Sequence, residues 1–305
     1  MSAAGTTDRN SRPIDSLLAW YFVTIWGSGF IATKIGLMHA PPFKFLAVRF
    51  AFGIACLIPL MLWWKPRWPQ SSTDYAHIII AGLLMHAMHL GGSHYSQYLG
   101  LSAGVTAVLL AVQPLITALI AGRWLNEPVR PIQWTGIVIG LAGVTMVVWH
   151  KLNLLDAPLG GLIAVTISLV GVTGGTLYQR KYCPAVDLRS AAMIQFVSTF
   201  LVVAPLAWGF ETAPILWSWA LVGAIGFLVI GASMLAVSAL HILMRHGQAT
   251  KVTSLIYLTP VFAVVLEGFV FGVVPTGLTA IGMVVTCMGI ALVARRPRTV
   301  PGSGT

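Results

Sequence analysis

Residues 103–122 read AGVTAVLLAVQPLITALIAG, a stretch of twenty positions without a charged side chain. A helix needs about 20 mostly apolar residues to cross the ~30 Å hydrocarbon core of a bilayer, so this stretch has the length and composition of one crossing. Nine further apolar runs of similar length flank it, separated by Pro, Gly and charged residues. They lie at 17–37, 43–63, 77–98 and 132–149, and then at 160–179, 189–210, 219–241, 252–272 and 277–294.

These runs predict ten membrane-spanning helices. Backbone N–H and C=O groups find no water in the bilayer core, so each run must form a helix or one strand of a closed barrel. Barrel strands alternate apolar and polar residues, whereas these runs are continuously apolar. The predicted fold class is therefore an all-α integral membrane protein with ten transmembrane helices.

The composition excludes a soluble protein. Charged residues make up 9% of the 305 positions and apolar residues 57%, whereas a soluble domain carries roughly 25% charged and about 45–50% apolar residues. The first apolar run is too long for a signal peptide and lacks a small-residue cleavage pattern, so we expect it to be retained. Cys56, Cys183 and Cys287 lie far apart, which favours neither a disulfide framework nor a metal site.

The net charge of +10 predicts topology rather than binding to nucleic acid, because the cations fall between the apolar runs. With a cytoplasmic N-terminus, 14 Lys and Arg residues lie on that face and three, Lys34, Lys44 and Lys151, on the other. Positive charge favours the cytoplasmic side. We therefore predict an inner-membrane protein whose tails, 1–16 and 295–305, are both cytoplasmic.

The two halves of the chain repeat. A shift of 146 residues superposes the first five runs on the last five without a gap. It aligns Pro59 with Pro205, Pro114 with Pro260, Gly122 with Gly268, Gly136 with Gly282 and Gly143 with Gly289. Because each unit has an odd number of helices, the second must enter the membrane upside down. The sequence predicts inverted five-helix repeats at 17–149 and 160–294, an architecture in which a central site opens alternately to either side.

Short motifs follow one another in a fixed order along the chain. They are Trp26-Gly27-Ser28 with Lys34, the turn Pro41-Pro42 leading to Arg49, Pro114, Glu127, Gly136 with Gly143, the segment 249–260 (ATKVTSLIYLTP), and Gly282 with Gly289. As an ordered set they resemble bacterial permeases with two EamA domains, of the drug/metabolite transporter superfamily. The resemblance implies a ten-helix carrier with a central substrate cavity. It does not identify the substrate, because such relatives export amino acids and other metabolites or move nucleotide-type compounds.

The chain departs from a symmetric pattern at two positions. Val273 stands in the second repeat where the first has Glu127, and Gln195 stands where the first has Arg49. Neither Glu127 nor Arg49 can therefore play the same role in both halves.

Two charged residues, Arg49 and Glu267, fall clearly inside predicted helices and away from their ends. A charge costs at least about 2.5 kcal/mol at the centre of such a helix. Arg49 and Glu267 both lie about 8–9 Å below the outer helix ends at 1.5 Å per residue. The hypothesis is a salt bridge or charged gate between them; the alternative is that each reaches the outer headgroups. Glu267 is also the first candidate for proton coupling, followed by the histidines.

Predicted helix 3 carries an unusually polar face. At 100° per residue, most of its polar side chains gather within about 100° of one another, with one histidine about 60° further round. The residues are His86, His89, Ser93, Ser96 and Gln97, and then His94. We expect this face to line the cavity, with the histidines as substrate or proton contacts. The alternatives are interhelical hydrogen bonds and a metal site, although no acidic or Cys partner lies nearby in sequence.

Pro114 and Pro260 occupy matching places in predicted helices 4 and 9, where a missing N–H and a steric clash should kink the helix. Gln113, Tyr257 and Thr259 lie beside these kinks and are predicted to line the path. The alternative is a structural bend without a moving part.

Helix 1 supplies Trp26 and Ser28, which can stack on a substrate and hydrogen-bond to it, or serve in packing alone. In helix 5, Gly136 and Gly140 have the GxxxG spacing that allows another helix to approach closely. That helix can belong to the same chain or to a second copy, so a homodimer stays open.

The function predicted from these features is secondary transport. The substrate would be a small metabolite such as an amino acid or aromatic metabolite, carried by alternating access without a cofactor, metal or catalytic residue. No GxxxxGK[ST] loop is present to power a pump. The alternative is a membrane-embedded enzyme that acts on a lipid or isoprenoid through the helix 3 histidines. Direction and coupling stay open.

Overall fold

The computed structural model describes residues 13–124, 130–152, 158–236, 239, 242–243 and 259–293. The described residues form helices in the predicted order, and they include no strand. We label the helical segments α1 (Pro13–Leu37), α2 (Pro42–Trp64), α3 (Ser72–Tyr98), α4 (Ala103–Leu110 and Gln113–Trp124), α5 (Pro131–Leu152), α6 (Leu159–Tyr182), α7 (Leu188–Phe210), α8 (Trp219–Ala236), α9 (Thr259–Phe271) and α10 (Gly277–Val293).

The described helices have the composition of membrane spans. Seven of them, α1 to α4 and α6 to α8, are long and apolar enough to cross a bilayer, with mean hydropathy between 1.2 and 2.2. The apolar parts of α5, α9 and α10 are shorter within the described residues. The prediction of an all-helical membrane fold is confirmed, whereas ten full crossings remain a prediction. The first third of predicted helix 9, 252–258, lies outside the described residues.

Backbone chemistry explains where several helices begin. Pro41 is extended, with φ −60° and ψ 154°, and Pro42 occupies the first helical position of α2, where its missing N–H costs nothing. The Ser102 and Ser218 hydroxyls accept hydrogen bonds from the N–H groups of Val105 and Leu221, which caps α4 and α8.

Two helices contain a stretch of π-helix. It spans Leu83–Met88 in α3 and Phe227–Ala236 in α8. The 146-residue shift carries 83–88 onto 229–234, so the two stretches occupy matching places in the two halves. Such wide turns are rare and are frequent at functional sites. They could not be foreseen from apolar periodicity.

The predicted kink at Pro114 is confirmed as a break in α4. The helix stops after Leu110, turns at 111–112 and restarts at Gln113, with Pro114 as the second residue of the new segment. Proline has no N–H to donate to the carbonyl four residues back and clashes with it. Pro260 lies in α9 beside the limit of the described residues, so the kink predicted there stays a prediction.

Helices α5 and α10 meet through glycines. A Cβ placed on Gly136 would lie 2.6 Å from the Gly289 carbonyl oxygen, and a Cβ on Gly282 would lie 2.7 Å from the Gly143 oxygen. The 146-residue shift converts one contact into the other. The glycine face of α5, which could have served a homodimer, is occupied within the chain.

Helices α2 and α7 pack through a pair of aromatic rings. The centroids of Phe50 and Phe196 are 5.1 Å apart, at an interplanar angle of 80°. Phe196 is the counterpart of Phe50 under the 146-residue shift, so each ring contacts its own equivalent.

Candidate functional site

A cavity of about 350 Å³ lies among α1, α2, α3, α6, α7 and α8. Small-molecule sites commonly enclose about 300–1,000 Å³. Its walls are largely apolar and include the rings of Trp26, Phe30, Phe50 and Phe196. Both π-helical stretches contribute lining residues, among them His86 and Ser233. The cavity therefore has the size and character of a site for one small, partly aromatic molecule.

Five of the predicted pathway and gating residues line this cavity. They are Trp26, Arg49, His86, His89 and His94. Helix 3 thus turns its histidines inward, in keeping with the polar face predicted from its periodicity. Ser93 of the same face also lines the cavity.

The other predicted pathway residues lie elsewhere. Ser28 donates to its own helix, at 2.7 Å from the Thr24 carbonyl oxygen, and the Gln113 amide donates to the Thr176 hydroxyl at 3.1 Å. Gln97 and Thr259 are buried away from the cavity, and their side-chain polar atoms have no hydrogen-bond partner among the described residues. Tyr257 lies outside the described residues.

His89 is oriented by Ser168 of α6. The Ser168 hydroxyl lies 2.7 Å from the His89 carbonyl oxygen and 2.8 Å from His89 Nδ1. Because the single hydroxyl proton is donated to the carbonyl, Nδ1 must carry the proton that the hydroxyl oxygen accepts. The neutral ring therefore keeps Nε2 as a free acceptor.

His86 is oriented in a similar way by Gln195 of α7. Its Nε2 lies 3.3 Å from Gln195 Oε1, while the Gln195 amide nitrogen donates to Gln179 Oε1 at 3.4 Å. An amide oxygen only accepts, so Nε2 of His86 is the donor and Nδ1 is the free acceptor. His94 is held against the Phe45 ring, with centroids 5.4 Å apart, and its Nδ1 has no partner among the described residues.

The predicted pair between Arg49 and Glu267 is wrong. Glu267 is only 2% exposed, and its carboxylate lies 2.9 Å from Lys34 Nζ on α1. It also accepts the N–H groups of Ala103 and Gly104, each at 2.8 Å. These N–H groups open α4 and have no partner inside that helix, so the carboxylate caps its positive end. Lys34, read from the sequence as a cation beside a loop, is the actual partner.

A second carboxylate plays a matching part at the same end of the bundle, where α1 turns into α2. Glu211, just after α7, accepts the N–H groups of Phe43 and Lys44 at 2.8 Å and the Tyr95 hydroxyl at 3.1 Å. Lys44 Nζ also donates to the Ala213 carbonyl at 2.8 Å. Two acidic side chains thus fasten helix starts across the bundle. We call them the Glu267 and Glu211 clamps.

With this geometry in view, the chain can be compared with known proteins. The sequence profile of the EamA-like transporter family matches twice, at residues 15–149 and 159–295. The chain belongs to the EamA-like transporter family. The resemblance to permeases with two EamA domains is therefore confirmed, and the two matched segments agree closely with the predicted repeats.

Several known proteins are similar to half or more of this chain. The protein named as the uncharacterized inner membrane transporter YedA of Escherichia coli K12 is 31% identical over 82% of this chain and 80% of its own. The probable amino-acid metabolite efflux pump of Salmonella typhimurium is 22% identical over 55% of this chain and 54% of its own. A crystal structure with 20% identity superposes with a TM-score of 0.66 over 94% of this chain and all of the other.

Some cavity residues of this EamA-like transporter could not be foreseen from periodicity alone. Gln195 and Ser233 line the cavity, and Ser168 bonds the lining residue His89. Ser233 is the one polar residue within α8, whereas α6 and α7 carry other Ser, Thr and Gln residues, so periodicity does not single out Ser168 or Gln195. Phe196 could have been identified from the repeat, because the 146-residue shift places it at the position that matches Phe50. Glu211 lies at a predicted helix boundary, where a carboxylate is unremarkable.

Proposed function

We propose that this chain is a secondary transporter that moves a small metabolite across the inner membrane by alternating access. The observation that carries the proposal is the position of the cavity. It lies between α1 to α3 of the first half and α6 to α8 of the second. A site shared by two similar halves can be exposed to one side or the other as the halves tilt.

Reciprocal contacts support an inverted relation between the halves. Gly136 contacts Gly289, and Gly143 contacts Gly282. Helices α5 and α10 therefore run antiparallel to each other. The two contacts exchange under the 146-residue shift, as a two-fold axis between the helices requires. The ring of Phe50 packs on its own counterpart, which is expected only close to that axis. We propose ten crossings, repeats at 17–149 and 160–294, and both chain ends in the cytoplasm.

Moving parts are proposed at the breaks and clamps. We expect helices to bend at the break in α4 and at the π-helical stretches of α3 and α8. The regular backbone hydrogen-bond pattern is already interrupted at these places, so bending there breaks few further bonds. With the chain ends cytoplasmic, the Glu267 and Glu211 clamps lie at the outer end and hold it together. Opening outward requires the contacts of Glu267 with Lys34 and with α4 to loosen.

The substrate class is proposed from the cavity walls. Rings at Trp26, Phe50 and Phe196 and imidazoles at His86 and His89 suit an amino acid or aromatic metabolite. The name of the Salmonella typhimurium relative, a probable amino-acid metabolite efflux pump, agrees with this class.

Transport can be tested with purified protein in liposomes, using a panel of labelled amino acids and aromatic metabolites with and without a pH gradient. We expect entry of chemically unchanged solute above the level of protein-free liposomes. Ala232→Trp, which fills the cavity from α8, should abolish that entry, whereas Ala220→Trp on the exposed part of α8 should not. Product formation instead of transfer would favour the enzyme alternative. Equal entry with both variants would contradict a path through this cavity.

A further inference from the structure

Arg49 is a cation without a hydrogen-bond or ion-pair partner among the residues that the structure describes. It projects from α2 into the cavity. The carboxylate expected to neutralise it, Glu267, is taken by Lys34 and the start of α4. Placing a charge in a membrane-spanning helix is costly, and such residues usually face a partner or a wet cavity. With no partner for Arg49 among the described residues, the open cavity in front of it points to a partner on a bound solute.

Among the described residues that line the cavity, none other than Arg49 carries a full charge. They include neither Asp nor Glu, and the remaining polar side chains are mainly hydroxyls, one amide and imidazoles. Neutral His86 and His89 carry no positive charge, so neither rivals Arg49 as the partner of an anion. The described lining also offers no carboxylate to balance a positive charge on a solute.

Only the first of the two halves has a cation at the position of Arg49. The counterpart of Arg49 in the second half is Gln195, which already bonds His86 and Gln179. One guanidinium, held on one side of an otherwise apolar and aromatic cavity, matches one anionic group on a molecule with an apolar body. A guanidinium pairs with a carboxylate through two parallel hydrogen bonds, which fixes orientation as well as charge.

We propose that Arg49 is the carboxylate-binding group of the transport site, and that the substrate is a monocarboxylate with an apolar or aromatic body. This inference rests on the proposed function and names its substrate class. Carboxylates, including zwitterionic amino acids, bind with the acid group on Arg49. Amines, amides and esters of the same shape lack the anion and leave the guanidinium unpaired.

Binding is tested first, in nanodiscs of phosphatidylcholine so that no anionic lipid headgroup can occupy the cavity. Isothermal titration calorimetry measures the affinity of solutes that are similar in size and differ in charge. The solutes are phenylacetate, phenylalanine, phenylacetamide, phenethylamine and phenyl phosphate. We expect the two carboxylates to bind most tightly. Arg49→Gln should weaken carboxylate binding about 10- to 100-fold, the range for a hydrogen bond to a charged group. Its effect on phenylacetamide should be small.

Two variants serve as controls. Arg49→Lys keeps the charge but loses the two-pronged geometry, and should retain part of the affinity. Arg67→Gln removes a cation at an exposed position between α2 and α3 and should bind like the wild type. A purely structural Arg49 would give a different signature, because Arg49→Gln would then unfold at a lower temperature without solute. We expect its melting temperature to be equal or higher, since an unpaired charge is removed.

The outcomes separate the two proposals. Carboxylate binding that depends on Arg49, with no solute entry into liposomes, would support the subsite and contradict transport. Entry of amines or amides as fast as carboxylates would leave transport standing and overturn the inference. Failure of every carboxylate to bind, tighter binding of phenyl phosphate, or unchanged binding in Arg49→Gln would also overturn it.

Discussion

Replacing Glu267 with alanine is expected to lower the free energy of unfolding by about 3 kcal/mol, the lower end of the range for breaking a buried ion pair. The change leaves Lys34 without its carboxylate and removes the acceptor for the first N–H groups of α4. Because Glu267 is only 2% exposed, the N–H groups that it accepts would be left buried without an acceptor, whereas Lys34, with a side chain 27% exposed, would lose only its partner. Reversible unfolding in mixed detergent micelles measures the loss.

A double-mutant cycle isolates the pair. Glu267→Gln keeps an oxygen for one N–H group, so it should cost less than alanine. Lys34→Met together with Glu267→Gln should cost less than the sum of the single changes, because neither charge is then left alone. Additive losses would contradict the pair between Lys34 and Glu267. A loss below about 0.5 kcal/mol for Glu267→Ala, the usual range for a surface change, would show that the Glu267 clamp does not hold α4.

Replacing Gly289 with alanine is expected to destabilise the protein by about 2 kcal/mol, as overpacking of a close contact does. The added methyl group would meet the backbone of both Gly140 and Gly136, with the Gly136 oxygen at 2.6 Å. Backbone atoms cannot rotate away as a side chain can, so α5 and α10 must separate. Gly289→Leu should prevent assembly of the bundle, seen as aggregation in size-exclusion chromatography in detergent.

Gly223 of α8 is the matched control, because a Cβ there would meet nothing within 4 Å. Gly223→Ala should be neutral or stabilise the helix by up to about 1 kcal/mol, the difference in helix propensity. Equal effects at Gly289 and Gly223 would contradict the glycine contact between α5 and α10.

Much of the fold could be predicted from the sequence because bilayers impose a simple rule. Any segment that crosses must satisfy its own backbone, so long apolar runs such as 103–122 become helices. The break at Pro114 could also be predicted, since it follows from one missing N–H. The π-helical stretches could not, because Leu83–Met88 and Phe227–Ala236 have the same apolar character as ordinary helix.

The candidate site could be predicted where a polar face was continuous, and not where partners came from distant helices. The helix 3 face located His86 and His89 correctly at the cavity. Equal depth suggested that Arg49 meets Glu267, but depth does not reveal which sides of two helices face each other. Lys34, 233 positions from Glu267, reaches the carboxylate instead. Ser168 and Gln195 orient the histidines from other helices and left no pattern to detect.

The most direct test of the transport mechanism is the accessibility of one cavity position from each face of the membrane. Ser233→Cys, in a chain whose three native cysteines are replaced, places a thiol in the cavity lining. Alternating access predicts that a membrane-impermeant thiol reagent labels it from either face, and that a transported carboxylate slows both reactions. Labelling from one face alone, with and without solute, would contradict a site that opens in turn to each side.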